Sequence, residues 1–403
     1  MTRDAHDTGK LPMGPLLALA MTGFTCIVTE TLPAGLLPEM SEGLQVSPSL
    51  AGQTVTVYAL GSLLAAIPLT IATQGWRRRN VLLLAIFGFL LFNSITAWSP
   101  SYSVMLIARF FAGVSAGLAW SLVAGYARRM VAPALQGRAL AVAMVGTPIA
   151  LSLGVPLGTW LGNLLGWRAA FASMSGLTLI LIVWVLARMP DYPGQAAGDR
   201  LRLRRVLFTP GVRPVLAVVV TWMLAHNVLY TYVAPLVSPA GLGDRVDAVL
   251  LVFGLAALVG IGFTGRLVDR HLRTTVLLSL AAFAIAALLF GLFAHSAKAV
   301  YGGVFIWGIA FGGAATLLQT ALADSAGDGA DVALSMNVVV WNGAIAGGGV
   351  LGGVLLAQAG VGAFAWTALA LVLVSLWIAV TAREHGFPAG HRQARHAARD
   401  ATA

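Results

Sequence analysis

The 403-residue chain is poor in charge, in acids above all, and nearly devoid of cysteine. Charged residues make up 10% of it against 58% hydrophobic residues, and its 15 acids face 25 bases. A water-soluble domain carries about a quarter charged residues, so this chain cannot clothe a water-facing surface. Its one cysteine, Cys26, excludes an internal disulfide. No Gly-x-x-x-x-Gly-Lys-Ser/Thr run occurs, which removes the usual phosphate cradle for ATP. The long apolar runs hold one deeply placed histidine, one acid and one cysteine, with no pair at metal-ligand spacing. Neither a metal nor a cofactor is therefore expected, and a membrane-embedded enzyme is a poor reading.

What the chain does have is length in its apolar runs. Mean hydropathy is +0.85, and runs of about 18 to 25 residues, enough to cross hydrocarbon, recur from end to end. Every backbone group must be satisfied internally in lipid, so these runs are predicted to be helices. The expected spans are 11–37, 53–72, 81–97, 104–126, 139–165, 169–186, 215–236, 249–267, 275–295, 300–322, 332–357 and 363–380. The first is too long for a cleaved signal peptide and contains Glu30. Residues 188–213 are polar, proline-bearing and basic, and read as a linker between bundles at 1–187 and 214–382, with a tail at 383–403. The predicted class is an all-α membrane protein of twelve transmembrane helices in two six-helix bundles.

The bundles read as copies. Gly265-Arg266-Leu267-Val268-Asp269-Arg270-His271-Leu272-Arg273 has the layout of the turn Thr70 to Arg78, and 265 − 70 and 273 − 78 both give 195. The same offset pairs Gly113 with Gly308, Gly117 with Gly312, Gly154 with Gly349 and Gly158 with Gly353.

Positive charge falls on alternate loops. Arg3, Lys10, Arg77, Arg78, Arg79, Arg128, Arg129, Arg138, the linker arginines, Arg266, Arg270, Arg273 and the C-terminal arginines share one side, against Arg168, Arg245 and Lys298 on the other. Both termini are expected in the cytoplasm. The loop carrying Asp324, Asp328 and Asp331 without a base departs from this pattern. The net charge of +10 is thus a topology signal and calls for no nucleic-acid partner.

Twelve spans in repeated halves, with a basic loop after the second span of each, resemble the major facilitator superfamily. Gly265-x-Leu267-x-Asp269-Arg270-x-x-Arg273 is similar to that family's signature loop, which implies gating contacts for Asp269, Arg270 and Arg273, and for Arg78 in the first half. The first-half loop departs from the pattern: Gln74 stands where the acid would be, and Thr70 replaces the glycine. Arg109-x-x-x-Gly113-x-x-x-Gly117 resembles the fourth-span arginine motif. Gly146 to Gly162, including Pro148, Gly154, Pro156 and Gly158, is similar to the fifth-span antiporter motif with its Gly-Pro order altered. Glu30-Thr31-Leu32-Pro33-Ala34-Gly35 looks like the first span of bacterial sugar and purine-ribonucleoside efflux pumps, within the drug:proton antiporter branch.

Two readings stand beside each motif. The glycine rows allow close helix packing, or they limit leak and permit bending, which the prolines favour. Ions inside a span are costly, and Glu30 and Arg109 are the only acid and base placed well within one. They form either a static salt bridge or a proton site, Glu30 titrating under the influence of Arg109. His226, set against Thr31 by the repeat, is a helix contact, a second proton site or a substrate contact. Asn227, Tyr230, Gln319, Asn337, Trp341 and Asn342 add polar and flat apolar groups suited to a ring-shaped, partly polar solute.

The expected function is proton-coupled export of a small organic solute (drug, sugar or nucleoside-like), with two bundles rocking about a midplane site. The alternatives are an uncoupled facilitator or symporting importer and, further off, a non-transporting sensor. The expected partners are a small-molecule substrate, protons and the lipid bilayer, for a monomer in a bacterial inner membrane.

Overall fold

A computed structural model describes residues 11–73, 75–131, 139, 142–194 and 203–389. Arg3, Lys10, Gln74, Arg138, Arg200, Arg202, Arg392, Arg395, Arg399 and the side chains of Arg128, Asp269, Asp328 and Asp331 lie outside this description. Among the described residues every regular element is a helix and there is no strand. Among the described residues twelve helices are long and apolar enough to cross a membrane, in line with the hydropathy of the sequence. The chain is a multi-pass membrane protein.

The chain divides into two compact units, Met1–Asp199 and Arg200–Ala403. The first contains spans Met13–Gly35, Pro48–Ala66, Arg78–Trp98, Tyr102–Ala127, Val142–Leu165 and Trp167–Arg188. The second contains Val212–Thr231, Gly243–Val268, Arg270–Leu292, Ala297–Ala326, Val332–Gln358 and Gly362–Thr381. They are numbered 1 to 12 below.

Within each unit the repeat is a repeat of contacts. A Cβ on Gly113 of span 4 would lie 1.9 Å from the Tyr58 carbonyl oxygen of span 2. One on Gly308 of span 10 would lie 2.5 Å from the Phe253 carbonyl oxygen of span 8. Gly117 meets Ser62 at 2.6 Å and Gly312 meets Ala257 at 2.1 Å in the same way. Subtracting 195 converts each second-unit pair into its first-unit counterpart. Hydrogen at these positions lets two backbones touch, a standard route to helix association in lipid.

Span 5 is seated against span 1 by its small residues. A Cβ on Gly146 would meet the Ala20 carbonyl oxygen at 1.8 Å, while Gly154, Gly158 and Gly162 face the side chains of Phe24, Leu32 and Leu36. Pro156 lacks the donor of an ordinary helical turn. The chain absorbs this as a π-turn over Ala150–Gly154, and the Ser152 hydroxyl donates to the Pro148 carbonyl at 2.7 Å. Close packing against span 1 and a local departure from α-helical hydrogen bonding thus occur in one span.

Several spans break where hydropathy alone does not. Span 1 was expected to reach residue 37, yet Leu36 leaves helical geometry (φ −118°, ψ 21°) and a new helix, Leu37–Leu44, starts with Pro38 in its first turn. Span 7, expected as 215–236, stops at Thr231, and Val233–Val237 follows beyond Tyr232 (φ −114°, ψ 34°). Span 10 divides at Gly313, where a Cβ would lie 1.8 Å from Thr264 Oγ1. The basic turn between spans 8 and 9 departs from helical geometry at His271 (φ −130°, ψ 40°), so Gly265 remains helical.

Candidate functional site

Span 1 carries the polar centre of the first unit. Proline 33 lies inside its helix and cannot donate to the carbonyl of the residue four back, which is Thr29. Arg109, fully buried on span 4, supplies the missing donor. Its Nη1 donates to the Thr29 carbonyl at 2.5 Å, Nη2 to the Glu30 carbonyl at 3.2 Å, and Nε to the Thr54 carbonyl at 3.1 Å. The guanidinium lies 4.8 Å from the Tyr58 ring centroid and 5.7 Å from that of Phe171, close enough for cation–π attraction. The Tyr58 hydroxyl donates to the Cys26 carbonyl at 3.0 Å, and Asn93 Nδ2 donates to Thr29 Oγ1 at 3.0 Å. One stretch of span 1 is thereby held by spans 2, 3 and 4.

The static salt bridge expected as the simpler reading of Glu30 and Arg109 is absent. Among the described residues the buried Glu30 carboxylate forms no ion pair and no hydrogen bond. The physical reason is the orphaned Thr29 carbonyl. Arg109 is drawn onto backbone oxygens, the Glu30 carbonyl among them, rather than onto the Glu30 carboxylate. Tyr58, Asn93 and Phe171 were not singled out from the sequence. Asn93 was open to discovery there, since a buried amide inside an apolar run is rare.

The second unit holds an aromatic cluster around His226 of span 7. Its ring stacks on Phe311 (centroids 3.5 Å apart, interplanar angle 4°) and on Tyr230 (5.1 Å, 26°). Trp307 and Phe253 lie at 5.2 Å and 5.9 Å. Among the described residues two ring nitrogens of this cluster, His226 Nδ1 and Trp307 Nε1, are buried without a hydrogen-bond partner, as are Trp222 Nε1 and Asn337 Oδ1 elsewhere in the unit. Buried polar atoms are ordinarily satisfied, so this cluster is chemically unfinished. Phe253, Trp307 and Phe311 went unnoticed in the sequence, where aromatics in apolar runs look like lipid-facing bulk.

The remaining candidates scatter. Asn227 is buried and donates to the Met223 carbonyl at 2.9 Å, and Asn342 to Val338 at 2.9 Å, both within their own helices. Trp341 is half-buried and Gln319 is exposed. At the basic turns Arg78 is buried and donates to the Thr73 carbonyl at 2.5 Å, Arg273 is half-buried and Arg270 exposed. Beyond span 6, Asp191 takes the Arg77 guanidinium and accepts from the Arg79 amide at 3.3 Å. Partial burial pushes its carboxyl up, but these two partners prevail and hold it below the usual carboxylate range.

The sequence profile described as Major Facilitator Superfamily matches residues 19–346 and 249–402. A purine ribonucleoside efflux pump NepI of Escherichia coli is 30% identical over 360 residues, covering 89% of this chain and 91% of that protein. The NepI of Shigella sonnei is 30% identical over 336 residues, or 83% and 85% of the two chains. Among solved structures, the Escherichia coli xylose transporter XylE in a partially occluded inward-open conformation superposes with TM-score 0.73 at 14% identity, covering 92% of this chain and 99% of that one. The nucleoside transporter NupG gives TM-score 0.71 at 13% identity, covering 91% and 98%. With twelve spans in two units, a duplicated glycine contact and a profile match over most of its length, the chain belongs to the Major Facilitator Superfamily and is a membrane transporter.

Proposed function

We propose that this transporter exports a purine ribonucleoside or a chemically similar ring-bearing solute in exchange for protons. The observation that carries the coupling is the Glu30 carboxylate, buried in span 1 with no hydrogen bond or ion pair among the described residues. Its nearest cation, Arg109, is committed to three backbone carbonyls. A carboxylate in that position has one inexpensive way to lose its charge, which is to take a proton. Exchange then follows if proton and solute favour different states of the carrier. Burial of an uncompensated charge inside a span is costly, which favours a working role for it.

The solute class is supported by two things. Relatives 30% identical to this chain, matched over 91% and 85% of their own length, are named for purine ribonucleoside efflux. The His226 cluster also offers flat aromatic faces beside two buried ring nitrogens, His226 Nδ1 and Trp307 Nε1, without a partner among the described residues, a combination that suits stacking and edge hydrogen bonds to a heterocycle. The basic loops support placement of both tails in the cytoplasm of a bacterial inner membrane.

The test is substrate-induced proton flux in proteoliposomes holding the purified chain. Inosine or adenosine added on one side should drive protons the opposite way, with drugs and pentoses as comparison solutes. Solute movement without proton movement would replace exchange by uncoupled facilitation, and co-directional flux would make the chain a symporter.

A further inference from the structure

Each unit ties its basic turn to the chain that follows its last span. Subtracting 195 pairs Arg273 with Arg78, Phe387 with Tyr192 and Pro388 with Pro193. In the first unit the Arg78 amide donates to the Tyr192 carbonyl at 2.9 Å. The Tyr192 ring packs edge-on to Tyr126 at 5.6 Å, and the Tyr126 hydroxyl donates to the Pro190 carbonyl at 2.5 Å. In the second unit Arg273 Nη1 donates to the Phe387 and Ala379 carbonyls, each at 2.8 Å, and the Phe387 side chain is fully buried. The clasp is duplicated with the rest of the half.

The acid is not duplicated in place. Because 269 − 195 = 74, the turn acid Asp269 corresponds to Gln74; because 386 − 195 = 191, Asp191 corresponds to Gly386. Across these two positions each half keeps one acid, on opposite members of the clasp. A backbone cause is visible in the second unit. Gly386 has φ +103° and its Cβ would lie 3.2 Å from the Gly211 carbonyl oxygen, so a side chain there is strained. In the first unit residue 191 lies in chain without regular secondary structure, and its carboxylate reaches both Arg77 and the Arg79 amide.

We propose that Asp191 is the latch acid of the first half, displaced from the basic turn to the segment after span 6, and that it positions the Arg77–Arg79 turn for the conformational step of transport. The Arg77 side chain is 68% exposed, and an exposed ion pair contributes little to stability. Orientation is what the contact supplies. Three consecutive arginines repel one another, and a carboxylate bonded to the first side chain and the third amide fixes the course of the turn between them.

The test uses the full-length protein purified in detergent and reconstituted in liposomes, with Asp191→Asn, Asp191→Glu and the transposed pair Asp191→Asn/Gln74→Asp. Tryptic cleavage within Arg77–Arg79, followed by mass spectrometry, reads the turn without reference to any solute. Asp191→Asn should speed that cleavage about fivefold, since local opening sets the rate. It should slow zero-gradient exchange of radiolabelled inosine about tenfold while leaving KM unchanged, as expected for a shifted conformational equilibrium. Asp191→Glu and the transposed pair should restore both readouts; a purely structural acid would not be rescued from position 74. Should Asp191→Asn fail to fold, Arg77→Gln reads the same contact from its other side. Wild-type cleavage and exchange in Asp191→Asn, or failure of the transposed pair to restore either, overturns the assignment. If the wild-type chain exchanges no inosine, the solute reading above is at fault, and the cleavage comparison still decides the latch.

Discussion

Arg109 Nη1 donates to the Thr29 carbonyl oxygen at 2.5 Å, and Pro33 is the reason that oxygen needs a donor from outside its own helix. The cation of the fourth span thus repairs a backbone defect in the first. Once committed there, it is not spent on the carboxylate one residue further along.

Arg109→Met should therefore leave the Thr29 carbonyl unsatisfied and lower stability by roughly 2–4 kcal/mol, given the worth of hydrogen bonds from charged donors. Pro33→Ala restores the amide that the helix lacks. The double variant Arg109→Met/Pro33→Ala should melt well above Arg109→Met alone, read by fluorescence during heating of the detergent-solubilised protein. Equal melting of the single and double variants would mean that Arg109 acts through charge alone.

Glu30→Gln keeps the size of the side chain and removes its charge change. Uphill efflux driven by a pH difference should fall to background, while downhill exchange of the same solute persists. Expression and solute binding separate this result from misfolding. A purified Glu30→Gln protein that still concentrates inosine on a pH difference alone would make Glu30 structural and move the proton path to His226 or elsewhere.

The glycines should not be equivalent. Gly113→Ala drives a Cβ to 1.9 Å from a backbone oxygen, which spans 2 and 4 relieve only by parting. Overpacking of this kind costs about 1–3 kcal/mol or more. Gly158→Ala meets the end of the Leu32 side chain at 2.7 Å, which can turn aside, and should cost about 1 kcal/mol or less. Melting temperatures of the two variants order them. If Gly158→Ala melts as normally as expected yet leaks protons in liposomes without solute, the fifth-span row has a barrier role on top of packing.

The Asp191 contact carries a pH signature. Arg77, Arg79, Arg129, Tyr126 and Tyr192 are the charged and titratable groups around it. Its folded value lies below the ordinary carboxylate value, so its contribution is complete above about pH 4 and is lost as pH falls through the lowered folded value. Protection of the Arg77–Arg79 turn from an acid-active protease should decline in that window. Asp191→Asn should be unprotected throughout, and a wild-type profile in that variant would assign the acid transition to another group.

Spans, order and repeat were open to reading from the sequence because lipid enforces them residue by residue: about twenty apolar positions leave no alternative to a helix. The breaks at Leu36, Tyr232 and Gly313 were not, since the apolar run continues through each of them; at Gly313 the close neighbour is Thr264 of another span. Glu30, Arg109 and His226 stood out as rare residues in apolar runs. Their partners did not. Nothing in the composition says that Arg109 chooses carbonyls over a carboxylate one residue away, because that choice is made by a missing amide hydrogen on Pro33. Asp191 escaped notice for a related reason: it lies in polar chain, where an acid is ordinary.

The dependence of Thr29 on Arg109 also bears on how the protein is made. During synthesis span 1 emerges before span 4, bringing an acid and a carbonyl that its own helix cannot satisfy. Its final hydrogen bond waits on a residue 80 positions later in the chain. Until span 4 follows, the Thr29 carbonyl lacks the donor that Arg109 brings.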